Sequence, residues 1–202
     1  MADAEGLGVR LRRVRIERGI SVRELARRAG CSASLISQVE RGITTPSASV
    51  VYSLASELGV SLDSLFEAAP HRELPAWGRA RGPDGAGIVQ RAADRKAIDL
   101  LTGVRWERLT PNHDDRVDFL EVVYAPGGQS SDNGRAARHD GREYLLVLQG
   151  ELEAVIGFDT LLLGEGNSLA FDPATPHHYR NRTPDVVRVL SLVVHGSAHS
   201  AY

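Results

Sequence analysis

The spacing of the hydrophobic residues changes between residues 68 and 87, and this change constrains the fold more than any other feature of the sequence. Before it, apolar residues recur every three or four positions, which gives a helix one buried face. After it, short apolar runs are separated by turn residues, which is typical of closely spaced strands. The sequence therefore predicts a helical domain followed by a β domain.

Serines and glycines mark the ends of the predicted helices. Ser21, Ser32, Ser47 and Ser61 each precede an apolar run, where a serine oxygen can accept from the free amides of a first helical turn. Glycines follow the runs, where a residue free to adopt positive φ ends a helix. The pattern predicts a bundle of five helices, at about residues 7–18, 22–29, 33–40, 48–58 and 62–66.

Prolines and glycines without apolar periodicity fill residues 68–87, which predicts an interdomain linker. The chain then divides into a helical domain at 1–67, the linker at 68–87 and a β domain at 88–202. Strands this short and closely spaced predict a barrel or a sandwich. The candidate strands lie at about residues 87–91, 97–101, 104–109, 117–125, 143–149, 151–157, 159–163, 168–171, 177–181 and 186–194.

Composition excludes several classes of protein. A hydrophobic fraction of 42% is enough to build cores, so disorder is not expected. Cys31 is the one cysteine of the chain, which excludes an intramolecular disulfide and a multi-cysteine zinc site. No apolar run is long enough to span a bilayer and no secretion signal opens the chain, so we expect a cytoplasmic protein without a membrane partner.

Positive charge is concentrated in the helical domain. Residues 10–41 contain nine arginines and three glutamates, whereas the whole chain has a net charge of −2. A basic stripe on an otherwise acidic protein is the footprint of phosphate binding, because neutralisation of the backbone dominates affinity for DNA. A solvated helix face would give the same charge pattern, so charge alone leaves both interpretations open.

The segment from Ser21 to Gly42 has the pattern of a helix, a tight turn and a second helix. Ala26 is small where two helices approach closely, and Gly30 permits the turn, so the second helix can enter a major groove. This segment closely resembles the lambda-repressor-like helix-turn-helix family of xenobiotic-response-element-type regulators, including their Glu-Arg-Gly ending at residues 40–42 with Pro46 beyond it. The resemblance implies a five-helix DNA-binding bundle and a transcriptional regulator that binds double-stranded DNA.

Residues of this segment are assigned to bases or to phosphates. Gln38 is the preferred base reader because an amide can bond adenine N6 and N7 together. The predicted base-reading residues are Ala33, Ser34, Ser37 and Gln38. The resemblance implies phosphate contacts by Val22, through its backbone, and by Arg23, and further candidates are Arg28, Arg41 and Thr44. The resemblance also implies a buried ion pair between Arg15 and Glu40. Because one short helix reads few base pairs, we expect a homodimer on a palindromic operator.

Two later segments resemble the two sequence motifs of the cupin family. The first runs from His139 through Glu143 to Leu152, and the second from Gly166 to Asn181. Over about residues 88–195 the resemblance implies a cupin barrel, that is, a double-stranded β-helix or jelly roll. Cupins commonly hold iron, manganese, zinc or nickel with three histidines and a glutamate. Here Ala137 stands where one histidine belongs, so the candidate ligands are His139, Glu143 and His177, a facial triad with open positions.

Two interpretations of this triad remain open. It could hold a divalent metal, or it could line a polar pocket for a small-molecule effector in a metal-free barrel. Arginines near the first motif could bind an anionic effector with two hydrogen bonds each. The predicted effector pocket consists of Arg138, His139, Arg142, Glu143, Tyr144, Phe171, His177 and Tyr179.

Two functions are compatible with these motifs. The first is a regulator without enzyme activity, in which an effector in the barrel changes the placement of two DNA-reading heads. The alternative is a mononuclear non-haem iron oxygenase resembling hydroxypropylphosphonate epoxidase, which has the same layout and the same histidine, glutamate and histidine ligands, with the helical domain as a scaffold. The basic, polar surface of the helical domain favours the regulator, because a scaffold has no need of it.

Overall fold

Four α-helices form the N-terminal bundle of the computed structural model, which describes residues 6–66, 87–132 and 135–196. They span Leu7–Glu17 (α1), Val22–Ala29 (α2), Ala33–Glu40 (α3) and Ala48–Leu58 (α4). These bounds agree with the first four predicted helices to within one residue. Of the predicted linker, only Gly87 lies among the described residues, so the limits of the linker stay a prediction.

The fifth predicted helix is wrong. Its segment forms a 3-10 helix, Leu62–Leu65, so the described part of the bundle has four α-helices and not five. A segment of one turn is too short for α-helical hydrogen bonds to offset the cost of ordering the first turn. Contacts with the β domain fix it instead, because the N–H of Asp63 donates to Asp118 Oδ1 at 2.9 Å and the Asp63 carboxylate accepts from Thr110 at 2.9 Å.

Serine caps begin two of the helices. Ser21 Oγ and Ser32 Oγ each accept from the N–H three residues later, at 3.1 and 3.0 Å. Ser47 and Ser61 also stand at N-cap positions but make no such bond. Ser47 Oγ instead donates to Asp132 Oδ1 in the β domain at 3.2 Å. The start of α4 is therefore tied to the β domain by a side chain that the sequence assigned to local capping.

Nine strands in the described residues form two antiparallel sheets. The strands are Ala97–Leu100 (β1), Val104–Arg108 (β2), Val117–Tyr124 (β3), Arg142–Gln149 (β4), Leu152–Ile156 (β5), Asp159–Leu163 (β6), Ser168–Phe171 (β7), His177–Arg180 (β8) and Val187–Val194 (β9). The larger sheet has the order β1-β2-β3-β9-β4-β7 and the smaller has the order β6-β5-β8. The predicted strand at 87–91 is wrong, because this segment has no partner strand among the described residues and leaves Ile88 62% exposed.

Buried side chains of the two sheets form the core of a cupin-like β-sandwich. Side chains alternate across a strand, so on β4 Glu143, Leu145 and Val147 point inward while Arg142 and Tyr144 point outward. The same core continues into the helical bundle through residues of α4. No described helix is both long enough and apolar enough to cross a lipid bilayer.

Asp63 joins the 3-10 helix to the β domain in a buried ionic cluster. Its carboxylate is 2.7 Å from His113 Nδ1 and 3.5 Å from Arg108 Nη1. The hydrogen bond with Asp63 raises the pKa of His113, and the hydrogen bond with Asp118 raises the pKa of His195 in the same region. Protonated histidine is therefore the form that stabilises the contact between the two domains.

Thermal stability is expected to fall as the pH rises from about 6.5 toward 8. A histidine whose pKa is raised by folding contributes stability that is fully present below its unfolded pKa and is lost as the pH rises through the folded pKa. The midpoint of unfolding should be measured across this range for the protein and for His113→Gln. The variant should retain only the dependence that His195 supplies. Equal slopes for the two proteins would contradict the assignment to His113.

Candidate nucleic-acid interface and barrel site

Helix α3 turns its apolar side chains inward and its polar side chains outward. Ile36 and Val39 are 2% exposed and belong to the bundle core. Ser34 is exposed, and Ser37 and Gln38 are half-buried. The side chains of these three polar residues make no hydrogen bond to any other described residue. Together with the half-buried Ala33, the predicted base-reading residues therefore lie on one helix and keep their polar groups available.

The predicted phosphate contacts lie near α3 but differ in their exposure and in the bonds that they already make within the protein. Arg23 and Arg41 are exposed, and Arg41 Nε donates to the carbonyl of Ser37 at 3.0 Å. Arg28 is held by Glu24 at 2.7 Å, together with Arg27, and these bonds lower the pKa of Glu24 to about 2. The remaining two, Val22 and Thr44, are half-buried, with Val22 opening α2 and Thr44 following α3.

The predicted ion pair between Arg15 and Glu40 is confirmed. Arg15 Nε and Nη2 donate to the two carboxylate oxygens of Glu40 at 2.5 and 2.8 Å, and Nη1 donates to the carbonyl of Ile20 at 2.8 Å. The hydrogen bond to Glu40 raises the pKa of the Arg15 guanidinium. This two-pronged pair joins α1 to the end of α3.

A barrel residue that the sequence did not indicate lies against the turn before α3. Gly30 adopts the left-handed conformation with φ of 61°, and a Cβ atom there would stand 2.3 Å from Arg135 Nη2. The same guanidinium partly offsets the rise that burial causes in the pKa of Cys31. Gly30 is thus favoured for its positive φ, and the end of the flexible Arg135 side chain lies over it. Nothing in the spacing of the sequence brings residues 30 and 135 together.

The structure brings the three candidate metal ligands together inside the barrel. His139 precedes β4, Glu143 lies on β4 and His177 opens β8, so the two sheets both contribute. His139 Nε2 is 3.1 Å and His177 Nε2 is 3.4 Å from Glu143 Oε2. All three side chains are buried, and their ligand atoms lie within 4.8 Å of one another.

Hydrogen bonds orient the triad from outside. Nδ1 of His139 faces the carbonyl of Asp140 at 3.1 Å, and Nδ1 of His177 faces the carbonyl of Thr175 at 2.9 Å. The hydroxyl of Tyr179 donates to Glu143 Oε1 at 2.7 Å. Burial lowers the pKa of His177. Burial alone would raise the pKa of Glu143, but its hydrogen bond with His139 and the nearby histidine charges outweigh burial and lower it.

This arrangement fits a divalent metal. A carbonyl oxygen only accepts, so a neutral histidine ring that donates from Nδ1 has a lone pair on Nε2. Both Nε2 atoms face the ionised carboxylate of Glu143, so a cation among them would be held by two nitrogen atoms and one carboxylate oxygen and would balance the charge of that carboxylate. Backbone carbonyls behind metal-binding histidines and a hydroxyl behind the carboxylate are also typical of outer-shell support.

The cavity beside the triad is small and is closed by the helical domain. Its volume is about 20 Å³, which is room for one water molecule or an ion. Ala48, Ser49 and Tyr52 of α4 form part of its wall. An organic effector needs several hundred Å³. This cavity is therefore too small for an organic effector.

Five predicted pocket residues lie at or near this cavity, and three do not. Glu143, His177 and Tyr179 line it, His139 completes the triad, and the ring of Phe171 lies 5.0 Å from that of His177. The other three, Arg138, Arg142 and Tyr144, have exposed side chains and do not line it. Alternation on β4 explains two of them, because Glu143 points inward and both of its neighbours then point outward.

Comparisons with known proteins agree with the two-domain architecture. The family model described as Helix-turn-helix matches residues 11–65, and the one described as Cupin domain matches residues 120–194. The HTH-type transcriptional regulator PuuR of Escherichia coli (strain K12) is 28% identical over 195 residues, which cover 95% of this chain and 96% of PuuR. The HTH-type transcriptional regulator DdrOP3 of Deinococcus deserti is 41% identical over 58 residues, 29% of this chain and 45% of that protein.

A solved structure shows that the whole arrangement has a precedent. The HTH_3 family transcriptional regulator from Vibrio cholerae superposes with a TM-score of 0.65 at 22% identity, over 94% of this chain and 95% of that one. This likeness concerns the fold. The relatives found by sequence are named as regulators, which favours the regulator over the iron oxygenase. The chain thus carries a helix-turn-helix domain followed by a cupin domain and is homologous to HTH-type transcriptional regulators of the PuuR kind.

Proposed function

We propose that this regulator binds a palindromic DNA operator as a homodimer and that an occupant of the cupin barrel modulates this binding. The polar face of α3 carries the proposal. Its Ser34, Ser37 and Gln38 side chains have no hydrogen-bond partner among the described residues, although the opposite face of the same helix is fully packed. On the second helix of a helix-turn-helix, polar side chains without hydrogen-bond partners in the protein can form hydrogen bonds with the edges of DNA bases.

Gln38 is the main base reader in this proposal. Its amide can donate to adenine N7 and accept from N6, whereas the hydroxyls of Ser34 and Ser37 can adapt to several bases. The exposed Arg23 and Arg41 flank the helix and can neutralise phosphates without losing a buried partner. The N–H of Val22 at the start of α2 and the hydroxyl of Thr44 add neutral phosphate contacts.

A two-fold dimer follows from the size of α3. A helix of this length reads only a few base pairs, so useful affinity requires two copies on half-sites about 34 Å apart. A regulator of this kind works where the chromosome is, so we place it in the cytoplasm. The observations that support DNA as the partner are the basic surface around α3 and the regulators to which the chain is similar.

In the barrel, His139, Glu143 and His177 would hold a divalent metal such as iron, manganese, zinc or nickel. When bound, the metal would supply a Lewis-acidic centre with open positions for an oxygen or nitrogen of an effector. Tyr179 orients Glu143, and the Asp140 and Thr175 carbonyls orient the histidine rings. These contacts of the chain itself support a binding function at this place with or without metal.

Gln38→Ala is expected to relax sequence preference, whereas Arg23→Ala should weaken binding to all sequences alike. Selection from a random double-stranded library would give the operator, and competition binding would then measure discrimination. Loss of a two-bond base contact should reduce discrimination at one position by about 1–3 kcal/mol. Loss of one phosphate contact should lower the slope of log affinity against log salt by about 1.

Matched controls for this experiment lie on the barrel, away from α3. Gln149→Ala and Arg182→Ala remove the same residue types at exposed positions and should leave affinity and discrimination unchanged. If Gln38→Ala and Arg23→Ala both behave like these controls, then α3 is not the DNA-reading surface. If no sequence is enriched from the library at all, the regulator proposal itself fails.

A further inference from the structure

Tyr52 of the helical domain is built into the barrel site. Its ring stacks on that of His139, with centroids 4.5 Å apart and planes 13° from parallel. It also meets Trp106 of β2 edge-on at 5.3 Å, and its hydroxyl interacts with Ser191 of β9. One side chain of α4 therefore contacts a candidate metal ligand, the buried tryptophan of the barrel and the strand opposite.

The helix that carries Tyr52 is fastened to the β domain by its first turn. The N–H of Ser49 donates to the carbonyl of Ser130 at 2.9 Å, and the N–H of Leu101 donates to the carbonyl of Pro46 at 3.0 Å. On its other side α4 packs against α2, the first helix of the helix-turn-helix. A displacement of α4 would therefore change its contacts with both the barrel and the helix-turn-helix.

Tyr52 separates two cavities. The inner one, of about 20 Å³, reaches Glu143 and His177. The outer one, of about 520 Å³, lies between α4 and the barrel and is lined by Tyr52 and His139 among others. Only the outer cavity has the volume of an ordinary small-molecule site. Tyr52 lines both cavities, whereas Glu143 lines only the inner one.

We infer that Tyr52 is a ligand-site residue supplied by the DNA-binding domain, and that any occupant of the inner cavity larger than an ion or a water displaces it and loosens α4 from the barrel. The inference rests on the proposed function, since it names how the barrel regulates DNA binding. A ligand shifts a conformational equilibrium only if it binds one of the two states more tightly than the other. Here the state with α4 docked and Tyr52 in place leaves no room for the ligand in the inner cavity, so the ligand binds only the state in which α4 is displaced. Ligand binding and docking of α4 are therefore antagonistic.

Hydrogen–deuterium exchange of the full chain tests the first half of this inference. Tyr52→Ala should raise the exchange rate of the α4 amides by about tenfold or more, because local opening becomes easier. Tyr52→Phe keeps the ring and should change it by less than about threefold. Tyr144→Ala removes an outward-pointing tyrosine of β4 and should leave α4 unchanged. Added 4-methylphenol should bind Tyr52→Ala only and restore protection, which also shows that this variant is folded.

A substitution that imitates an occupant tests the second half. Ser191 is 4% exposed and lines the inner cavity, so the ring of Ser191→Phe would compete with Tyr52 for space. This variant should raise α4 exchange, and combining it with Tyr52→Ala should return exchange toward the original value. Strict additivity of the two substitutions, or unchanged α4 exchange in Tyr52→Ala, would overturn the inference. Neither measurement contains DNA, so this inference and the DNA-binding proposal can fail separately.

Discussion

Arg15→Met is expected to lower the free energy of unfolding by about 3–5 kcal/mol, because it leaves the Glu40 carboxylate buried without its partner. The side chains of the pair are 11% and 7% exposed, so water cannot replace the lost guanidinium. Urea unfolding followed by circular dichroism would measure the change. Arg12→Met, at an exposed position of the same helix, should alter stability by less than about 0.5 kcal/mol.

The double variant Arg15→Met with Glu40→Leu separates the loss of an ion pair from the loss of packing. Removing both charges removes the uncompensated carboxylate, so most of the lost stability should return. If the double variant is as unstable as Arg15→Met alone, the buried charge is not the cause. The same double variant should still fail to bind DNA at full affinity if the pair sets the angle of α3, since stability and orientation are then distinct contributions.

Glu143→Gln is expected to weaken binding of a divalent metal by at least about 100-fold, since loss of an outer-shell partner alone weakens metal sites by about 10–100-fold. Tyr179→Phe removes the hydroxyl that orients the carboxylate and should fall within that smaller range. Competition titrations with zinc, nickel, manganese and iron would measure both. Glu151→Gln, an exposed glutamate just after β4, is the matched control.

Metal titration also decides between the two interpretations of the triad. Undiminished zinc and nickel binding in Glu143→Gln would place the metal elsewhere. If the unmodified protein binds none of the four metals, the triad is a polar wall of a metal-free effector site. In that case Glu143 would recognise the effector directly, as an acceptor already held by Tyr179.

Local patterns predicted the elements of this fold well. The four α-helices follow from apolar spacing and from caps such as Ser21 and Ser32, because these interactions lie within a few residues of one another. The 3-10 helix was mispredicted because Asp63 is fixed by the distant Asp118 and Thr110. The prediction of a strand at 87–91 was wrong for a related reason, since a strand requires a partner strand that local sequence does not reveal.

The candidate sites were predicted in part. The triad and the Arg15–Glu40 pair followed from resemblance to two families, and the structure brings both sets together. The placement of Arg142 and Tyr144 in the pocket ignored the alternation of β4 that the position of Glu143 already implied. Tyr52 and Arg135 were missed because each acts across the contact between the domains, which neither family motif describes.

Helix α4 has a consequence for how such proteins can diversify. Its apolar residues belong to the core of the bundle, and its Tyr52 forms part of the wall of the barrel cavity. The functional boundary between the two domains therefore does not coincide with the proline- and glycine-rich segment at residues 68–87. A chimera joined at that segment would place the α4 of one protein, with its residue at position 52, against the barrel of another. New specificities should therefore arise more readily from paired changes in α4 and the barrel lining than from wholesale module exchange, and chimeras of these regulators should carry α4 together with the barrel it seals.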